Sequence, residues 1–343
     1  MKHIIGAIPP PEPAEVKTVV VDEDTAGQRL DNFLMRHLKG VPKTHIYRII
    51  RSGEVRINKG RALVDRRLVA GDLIRLPPVR TSQRAVVKAQ SMAAGAADAG
   101  SGRDTPAREF PVLFEDGSVL AVDKPAGVAV HGGSGVSFGV IEQLRMARPE
   151  ARFLELVHRL DRETSGILLI AKKRSALKHL QDQFRERQTG KTYLALVAGL
   201  WPARHKLLDK PLQKFLLPDG ERRVRVVGED HPDAMPSLSL VKVARTGRAF
   251  TLLEVTIKTG RTHQIRVHLA SEGMPIAGDD KYGNFELNKS LQRATCTVPL
   301  RRMFLHAWRL QFTHPVSGEP MQLLANLPAD LTLFLDHVAP AST

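Results

Sequence analysis

The densest cluster of reactive side chains in the sequence is Val157-His158-Arg159-Leu160-Asp161-Arg162-Glu163-Thr164-Ser165-Gly166. It gives way to an apolar run, Gly166-Ile167-Leu168-Leu169-Ile170-Ala171, so its polar groups belong to a loop at the edge of a sheet. Asp161 stands between Arg159 and Arg162. A carboxylate beside guanidiniums stays ionised and can act as nucleophile or base. Spacing alone does not decide for chemistry, because Asp–Arg clusters are more often structural ion pairs. The other patterns are weaker. His263 and His268 are five residues apart, about 140° round a helix, and do not share a metal-facing side. His131-Gly132-Gly133-Ser134-Gly135 suits a phosphate cradle or simply a shaped loop. Asp279-Asp280, before Lys281-Tyr282-Gly283, reads as a turn rather than a metal site. Cys296, the only cysteine, has no motif around it that would make it a nucleophile. The sequence has no Walker loop, no Gly-rich dinucleotide fingerprint and no CxxC pair.

The elements that hold the Asp161 loop are mostly strands. Ser118–Val122 reads as a strand ending at Lys124-Pro125. Gly166–Ala171 reads as a buried strand, and Tyr193–Leu200 and Phe250–Lys258 as two more. Arg174–Gln188 has Leu177, Leu180 and Phe184 at helical spacing, and Thr262–Glu272 is a short helix stopped by Gly273. Strands only partly interleaved with helices predict an α+β domain with a mixed or largely antiparallel sheet. Apolar density begins at Phe110 and persists to about Leu335.

A smaller unit precedes it. Leu30, Phe33, Leu34 and Leu38 recur at helical spacing, Pro42 opens a second helix carrying Ile46, Ile49 and Ile50, and Val55 and Ile57 alternate as a short strand. The division predicted is a tail over 1–16, a small domain over 17–80, a flexible small-residue linker over 81–109 and a large domain over 110–335. The whole chain carries 51 Lys and Arg against 36 Asp and Glu, a formal net charge of +15. Between Arg29 and Arg67 there are eleven Lys and Arg against three Asp and Glu. That excess favours a polyanionic partner, and interleaved with an apolar helix face it favours nucleic acid over a merely solvated surface. No stretch reaches the ~18 apolar residues of a membrane span. One cysteine excludes an internal disulfide and fits a reducing cytosol; a soluble cytoplasmic protein is expected.

The small unit resembles the S4-type RNA-binding module. The matching pieces are Gly27–Leu34, the Ile46–Ile50 helix, Gly53–Asn58 and Ala70-Gly71-Asp72. The resemblance implies RNA contacts from Arg29, Lys43, Arg48, Arg51, Arg56 and Lys59. The large unit resembles the RluA-type pseudouridine synthases. His158–Gly166 is similar to their catalytic motif, and three further blocks follow the family's order: Asp123-Lys124-Pro125-Ala126-Gly127 with His131-Gly132-Gly133, then Lys191–Val197, then Thr259–His268. With an S4-like unit upstream, the resemblance narrows to the branch acting on large-subunit ribosomal RNA.

That resemblance implies isomerisation of uridine to pseudouridine in 23S ribosomal RNA or a large-subunit assembly intermediate, with neither metal nor cofactor; a monomer is expected because the sequence shows no coiled-coil pattern and no obvious apolar interface. The N1–C1′ bond breaks, the uracil turns, and C5 bonds to C1′. Asp161 becomes the catalytic aspartate, adding to C1′, adding to C6, or assisting a glycal route. Arg266 becomes its partner, standing near the cleft edge. Tyr193 becomes the active-site tyrosine. A free tyrosine, with a pKa of about 10, is a poor base, whereas stacking on an extruded uracil needs no shift. Arg159 supports the position the uridine vacates, since extrusion costs a few kcal/mol. Leu160 and Ile265 are assigned to substrate binding, and Lys191 and Lys124 to phosphate contacts. The alternative is a non-catalytic S4-type ribosome assembly factor, resting on the charge and the small unit alone.

Overall fold

The structure, a computed structural model, describes residues 16–22, 25–38, 41–79, 106–132, 138–218, 220–293 and 297–340. Nearly all of the expected tail and linker, Cys296 and the Gly133–Gly135 part of the Gly-rich loop lie outside them. The chain divides into two compact units, Met1–Asp104 and Thr105–Thr343.

In the first unit, β1 (Lys17–Val20), α1 (Leu30–His37), α2 (Lys43–Arg51), β2 (Arg56–Ile57), β3 (Gly60–Arg61) and β4 (Leu73–Leu76) follow in order. The strands form an antiparallel sheet ordered β1-β4-β2-β3. The predicted helical spacing is realised: Leu30, Phe33 and Leu34 of α1 and Ile46, Ile49 and Ile50 of α2 pack on Val55, Ile57, Leu68 and Ile74. Each such side chain contributes about 1.5–3 kcal/mol on burial, which is what holds so small a sheet. Asn58 and Lys59 both take left-handed φ, 49° and 69°, and so close the β2–β3 hairpin with the twist a two-residue turn requires.

The second unit runs β5 (Val112–Glu115), β6 (Val119–Lys124), α3 (Val140–Ala147), β7 (Glu155–Leu156), β8 (Ser165–Ala171), α4 (Arg174–Arg185) and β9 (Gly190–Ala198). It continues β10 (Leu207–Asp209), β11 (Leu212–Leu216), β12 (Arg222–Val226), β13 (Leu238–Thr246), β14 (Phe250–Ile257), α5 (Gln264–Ser271), α6 (Phe285–Gln292), β15 (Leu305–Thr313), β16 (Pro320–Leu324) and α7 (Ala329–Val338). The large sheet is ordered β10-β13-β14-β9-β15-β8-β6-β5, with β16 on β15 and β7 on β8. All its pairings are antiparallel except β15 with β8. The expected α+β class with a mixed sheet is therefore observed. β11 and β12 form a separate ribbon.

The parallel contact sits where the Asp161 loop enters the sheet. Gly166 pairs with Ala307. Its φ is 111°, and a Cβ there would stand 2.3 Å from the Ala307 carbonyl oxygen, so only glycine fits. Beyond Gly166, β8 is buried at every position. Alternate residues of β6 and β8 feed two cores, one with α3 and one with α4, and a third core is built on β9, β14, α5 and α7; the loops between β7 and β8 and between β14 and α5 remain as the polar edge. Those loops carry Asp161 and Arg261–His263.

Candidate active site

The Asp161 loop is fastened at both ends. His158 accepts the Leu169 N–H at 3.1 Å through Nε2 and stacks on Phe184 with ring centroids 4.9 Å apart. Burial pushes its pKa down to about 4, so the ring is a neutral acceptor. Past Asp161, the Arg162 carbonyl accepts from Gly127 N at 2.9 Å and from Lys124 Nζ at 3.0 Å. Lys124 also donates to the Pro125 and Val128 carbonyls at 2.9 and 2.8 Å. Burial pulls its pKa down to about 7; three carbonyl acceptors call for the ammonium, whose three N–H groups match them. Lys124 is wholly buried. It therefore cannot meet a phosphate, and the expected substrate contact is replaced by a structural one: it ties the Asp123–Gly127 loop to the Asp161 loop.

Asp161 is 28% exposed and turns toward α5. Arg266 Nη1 donates to its Oδ2 at 3.3 Å. The Arg266 guanidinium is itself 3% exposed, so it lies buried behind Asp161 and not at the cleft edge as the sequence led us to expect. Its other donors explain why: Nε and Nη2 each reach Asp279 at 2.7 Å, a bidentate pair. Asp279 also accepts from Lys281 N and Tyr282 N at 2.8 and 3.0 Å. Burial raises its pKa less than these partners lower it, and it stays below the usual carboxylate range. Asp279-Asp280 is indeed a turn, and that turn is the anchor of Arg266.

His263 sits above the pair. It does not belong to the helix, as predicted, but precedes α5 with a left-handed φ of 52°. Its Nε2 is 3.9 Å from Asp161 Oδ2 and its Nδ1 is 2.8 Å from the Tyr282 hydroxyl. The Tyr282 oxygen accepts from Val224 N at 3.0 Å, which leaves its hydrogen for Nδ1 and the His263 proton on Nε2. Burial lowers the His263 pKa, and Asp161 opposes it. His268 faces elsewhere, bonded to Ser239 and the Lys210 carbonyl.

Asp161, Arg159, Leu160, Tyr193, Ile265 and Arg266 line one pocket, together with Thr164, Ile257, Gly260, Arg261, His263, Gln264 and Leu305. The pocket is open to solvent on one side and holds about 90 Å³, room for one small ring and far below the ~300–1,000 Å³ of a drug-sized ligand's site. Tyr193 is held by strands on both sides, opposite Val255 and Ala307. Burial, and then the Asp161 charge, push its phenol pKa well above 10. At neutral pH it is a neutral ring wall and not a base. Gln264 shapes the rim: its carbonyl accepts from Thr259 Oγ1 at 2.7 Å and Arg261 N at 3.0 Å, while its amide donates to the Leu238 carbonyl and Ser239.

The sequence profile of RNA pseudouridylate synthases matches residues 118–271, the segment that supplies every side chain of this pocket except Leu305. The profile of the S4 domain matches residues 28–74. Ribosomal large subunit pseudouridine synthase C of Escherichia coli (strain K12) is 50% identical over 333 residues, which are 96% of this chain and 99% of that one. The chain belongs to the RluA-type pseudouridine synthases. The protein of the same name from Salmonella typhimurium is 51% identical over 317 residues, 92% of this chain and 94% of that one. Among solved structures, Human RNA Pseudouridylate Synthase Domain Containing 1 superposes with a TM-score of 0.54 at 25% identity, over 68% of this chain and 87% of that chain.

The S4 domain of the synthase presents Arg48, Arg51, Arg56 and Lys59 as exposed side chains, with Arg48 and Arg51 in the last turn of α2. Arg29 is exposed but engaged, donating to buried Asp31 at 3.1 and 2.9 Å. The Lys43 side chain lies outside the described residues. Sequence reasoning missed Asp279, Tyr282 and His263 as parts of the synthase's site. The one signal available was the acidic turn 13 residues after Arg266, which has no helical or strand register to connect it to that arginine. Among the described residues, no helix is long and apolar enough to cross a membrane.

Proposed function

We propose that this synthase isomerises specific uridines of 23S ribosomal RNA, in the cytoplasm, by receiving a flipped-out uridine in the Asp161 pocket. The observation that carries the reading is a partly exposed carboxylate aimed into a ring-sized pocket by a buried arginine, itself clamped by Asp279. The relatives named for the large ribosomal subunit support the choice of RNA.

The reaction exchanges the N1–C1′ bond for a C5–C1′ bond, with the C5 proton lost and a proton gained at N1, so beyond that proton transfer the residues supply placement, exclusion of water and stabilisation of the charge that develops as N1 departs. Asp161 faces the ribose carbon and the uracil edge. Tyr193, neutral, packs against the extruded ring. Leu160 and Ile265 supply apolar walls and Arg159, exposed at the mouth, fills the gap left in the RNA. The base lost from the stack costs a few kcal/mol, which stacking and this cation offset.

Unmodified 23S rRNA incubated with the protein and mapped by carbodiimide primer extension should give pseudouridine stops at discrete uridines. Asp161→Asn should give none while binding the RNA with wild-type affinity. Modification by the Asp161→Asn protein would remove Asp161 from the mechanism. A wild-type protein without signal, on naked rRNA and on assembly intermediates alike, would favour the binding-factor alternative.

A further inference from the structure

Beside the Asp161 pocket lies a second, wider groove of about 380 Å³, walled by Arg185, Arg187, Lys191, Lys258 and Arg261 over Phe184. Gly260 and Arg261 line both cavities, so the two are neighbours across one loop. The three sources of charge are separate in sequence but fixed by the fold. Lys191 pairs with Ile257 across the sheet, which brings it next to Lys258. The chain leaves α4 through Arg187, a non-glycine residue at φ 60°, which turns it back toward β9.

Arg185 is paired with Asp182 at 2.6 Å. Among the described residues, no carboxylate pairs with Arg187, Lys191, Lys258 or Arg261. Lys191 is half-buried, and both burial and the neighbouring Arg187 charge lower its pKa. A cation so placed gains from any anion that enters. Phe184 already carries His158 and Lys191 against its ring, so the groove offers charge and not a stacking platform.

We propose that this groove is a phosphate site: it grips the RNA phosphodiesters immediately flanking the uridine that enters the Asp161 pocket, through Arg187, Lys191 and Lys258. The inference rests on the pocket's reading as the uridine site and adds to it where the strand runs. A forked guanidinium and flexible lysines around an aromatic floor suit the anionic oxygens of a phosphodiester, and binding to phosphate fixes register without reading sequence.

The test uses the full chain with Arg187→Gln and Lys258→Gln combined, both exposed side chains, and Lys289→Gln, outside both cavities, as control. For binding to unmodified 23S rRNA, the slope of log K against log salt should become shallower by about 0.7 for each phosphate of single-stranded RNA that is no longer neutralised. The control should leave it unchanged. On a stem-loop carrying a mapped target uridine, KM should rise about tenfold with kcat nearly unchanged, as expected for interactions made equally in ground and transition states. A methylphosphonate at one flanking phosphate should cost the wild type that same factor and the double variant nothing further. An unchanged slope, or additive losses from variant and methylphosphonate, would overturn the phosphate site. Absence of pseudouridine with the wild-type protein would overturn the function instead, and the slope would still judge the groove.

Discussion

Arg266 divides its donors unequally among three carboxylates: Asp279, 1% exposed, takes two at 2.7 Å, Asp161, 28% exposed, takes one at 3.3 Å, and exposed Asp280 shares Nη2 at 3.4 Å. The short pair fixes the arginine, and the longer bond leaves Asp161 free to approach a substrate. Asp279 is thus a positioning residue. Replacing it by Ala removes one partner of a buried ion pair and should cost about 3–5 kcal/mol of stability. Asp279→Asn keeps the shape and one acceptor. It should lower kcat about 100-fold, as for a misplaced catalytic group, with KM for RNA unchanged. Equal kcat in Asp279→Asn and wild type would show that Asp161 needs no such aiming. Ile265, Arg266 and Asp161 were legible because each lies inside a contiguous motif. Asp279 was not, because its link to Arg266 is a through-space ion pair between a helix and a turn.

At the scale of elements, local periodicity located most of what holds the site. β8, α1 and α2 stand where the apolar spacing put them. α4 ends at Arg185 rather than Gln188 because the chain turns left-handed at Arg187, and no residue type there announces it. Local spacing does not reveal β13 or β15, and the resemblance that made Lys124 a phosphate contact does not reveal its burial, since lysine is almost never fully buried unless paired. The burial of Lys124 depends on three carbonyls from two loops, which no single-segment pattern encodes. The correction has a measurable consequence. Lys124→Met removes the ammonium from the Pro125 and Val128 carbonyls and leaves the Arg162 carbonyl only Gly127 N, each unpaired buried acceptor costing about 1–3 kcal/mol. It should lower the unfolding midpoint and kcat without changing the salt dependence of RNA binding. Arg48→Glu with Arg51→Glu, on the exposed end of α2, should do the reverse: weaker binding, a shallower salt slope, and an unchanged midpoint. A shallower slope for Lys124→Met would restore it as a phosphate contact.

At the scale of the whole molecule, the synthase keeps several imidazoles buried and neutral, and all bias stability in one direction. His306, wholly buried, bonds to Ser165 Oγ through Nδ1 at 2.9 Å and to the Ala325 carbonyl through Nε2 at 3.0 Å. Arg302 donates to the same Ser165 oxygen at 3.0 Å, so the serine gives its hydrogen to Nδ1 and Nε2 carries the ring proton. Burial pushes the His306 and His158 pKa values down to about 4, and those of His263 and His268 also fall. An unfolded histidine titrates near 6.5. Above that pH neither state binds the proton and these groups leave stability unchanged. Between about pH 6.5 and 4 the unfolded chain takes protons that the native rings refuse, so stability falls as pH falls. For His306 the loss approaches about 3 kcal/mol at the lower end of the window. Carboxylates whose pKa values are lowered, such as Asp31 and Asp116, lose their contribution only near and below their unfolded pKa of about 4. The range from pH 7 to 5 therefore reports chiefly the histidines, with a small contribution of the same sign near pH 7 from Lys124, whose native pKa burial lowers to about 7. Urea midpoints should decline steadily over that range. In His306→Gln, whose amide can still donate to the Ala325 carbonyl but does not titrate, the decline should be shallower. An identical decline in wild type and His306→Gln would mean that His306 is protonated in the folded protein, and the serine–histidine–carbonyl chain would have to run the other way.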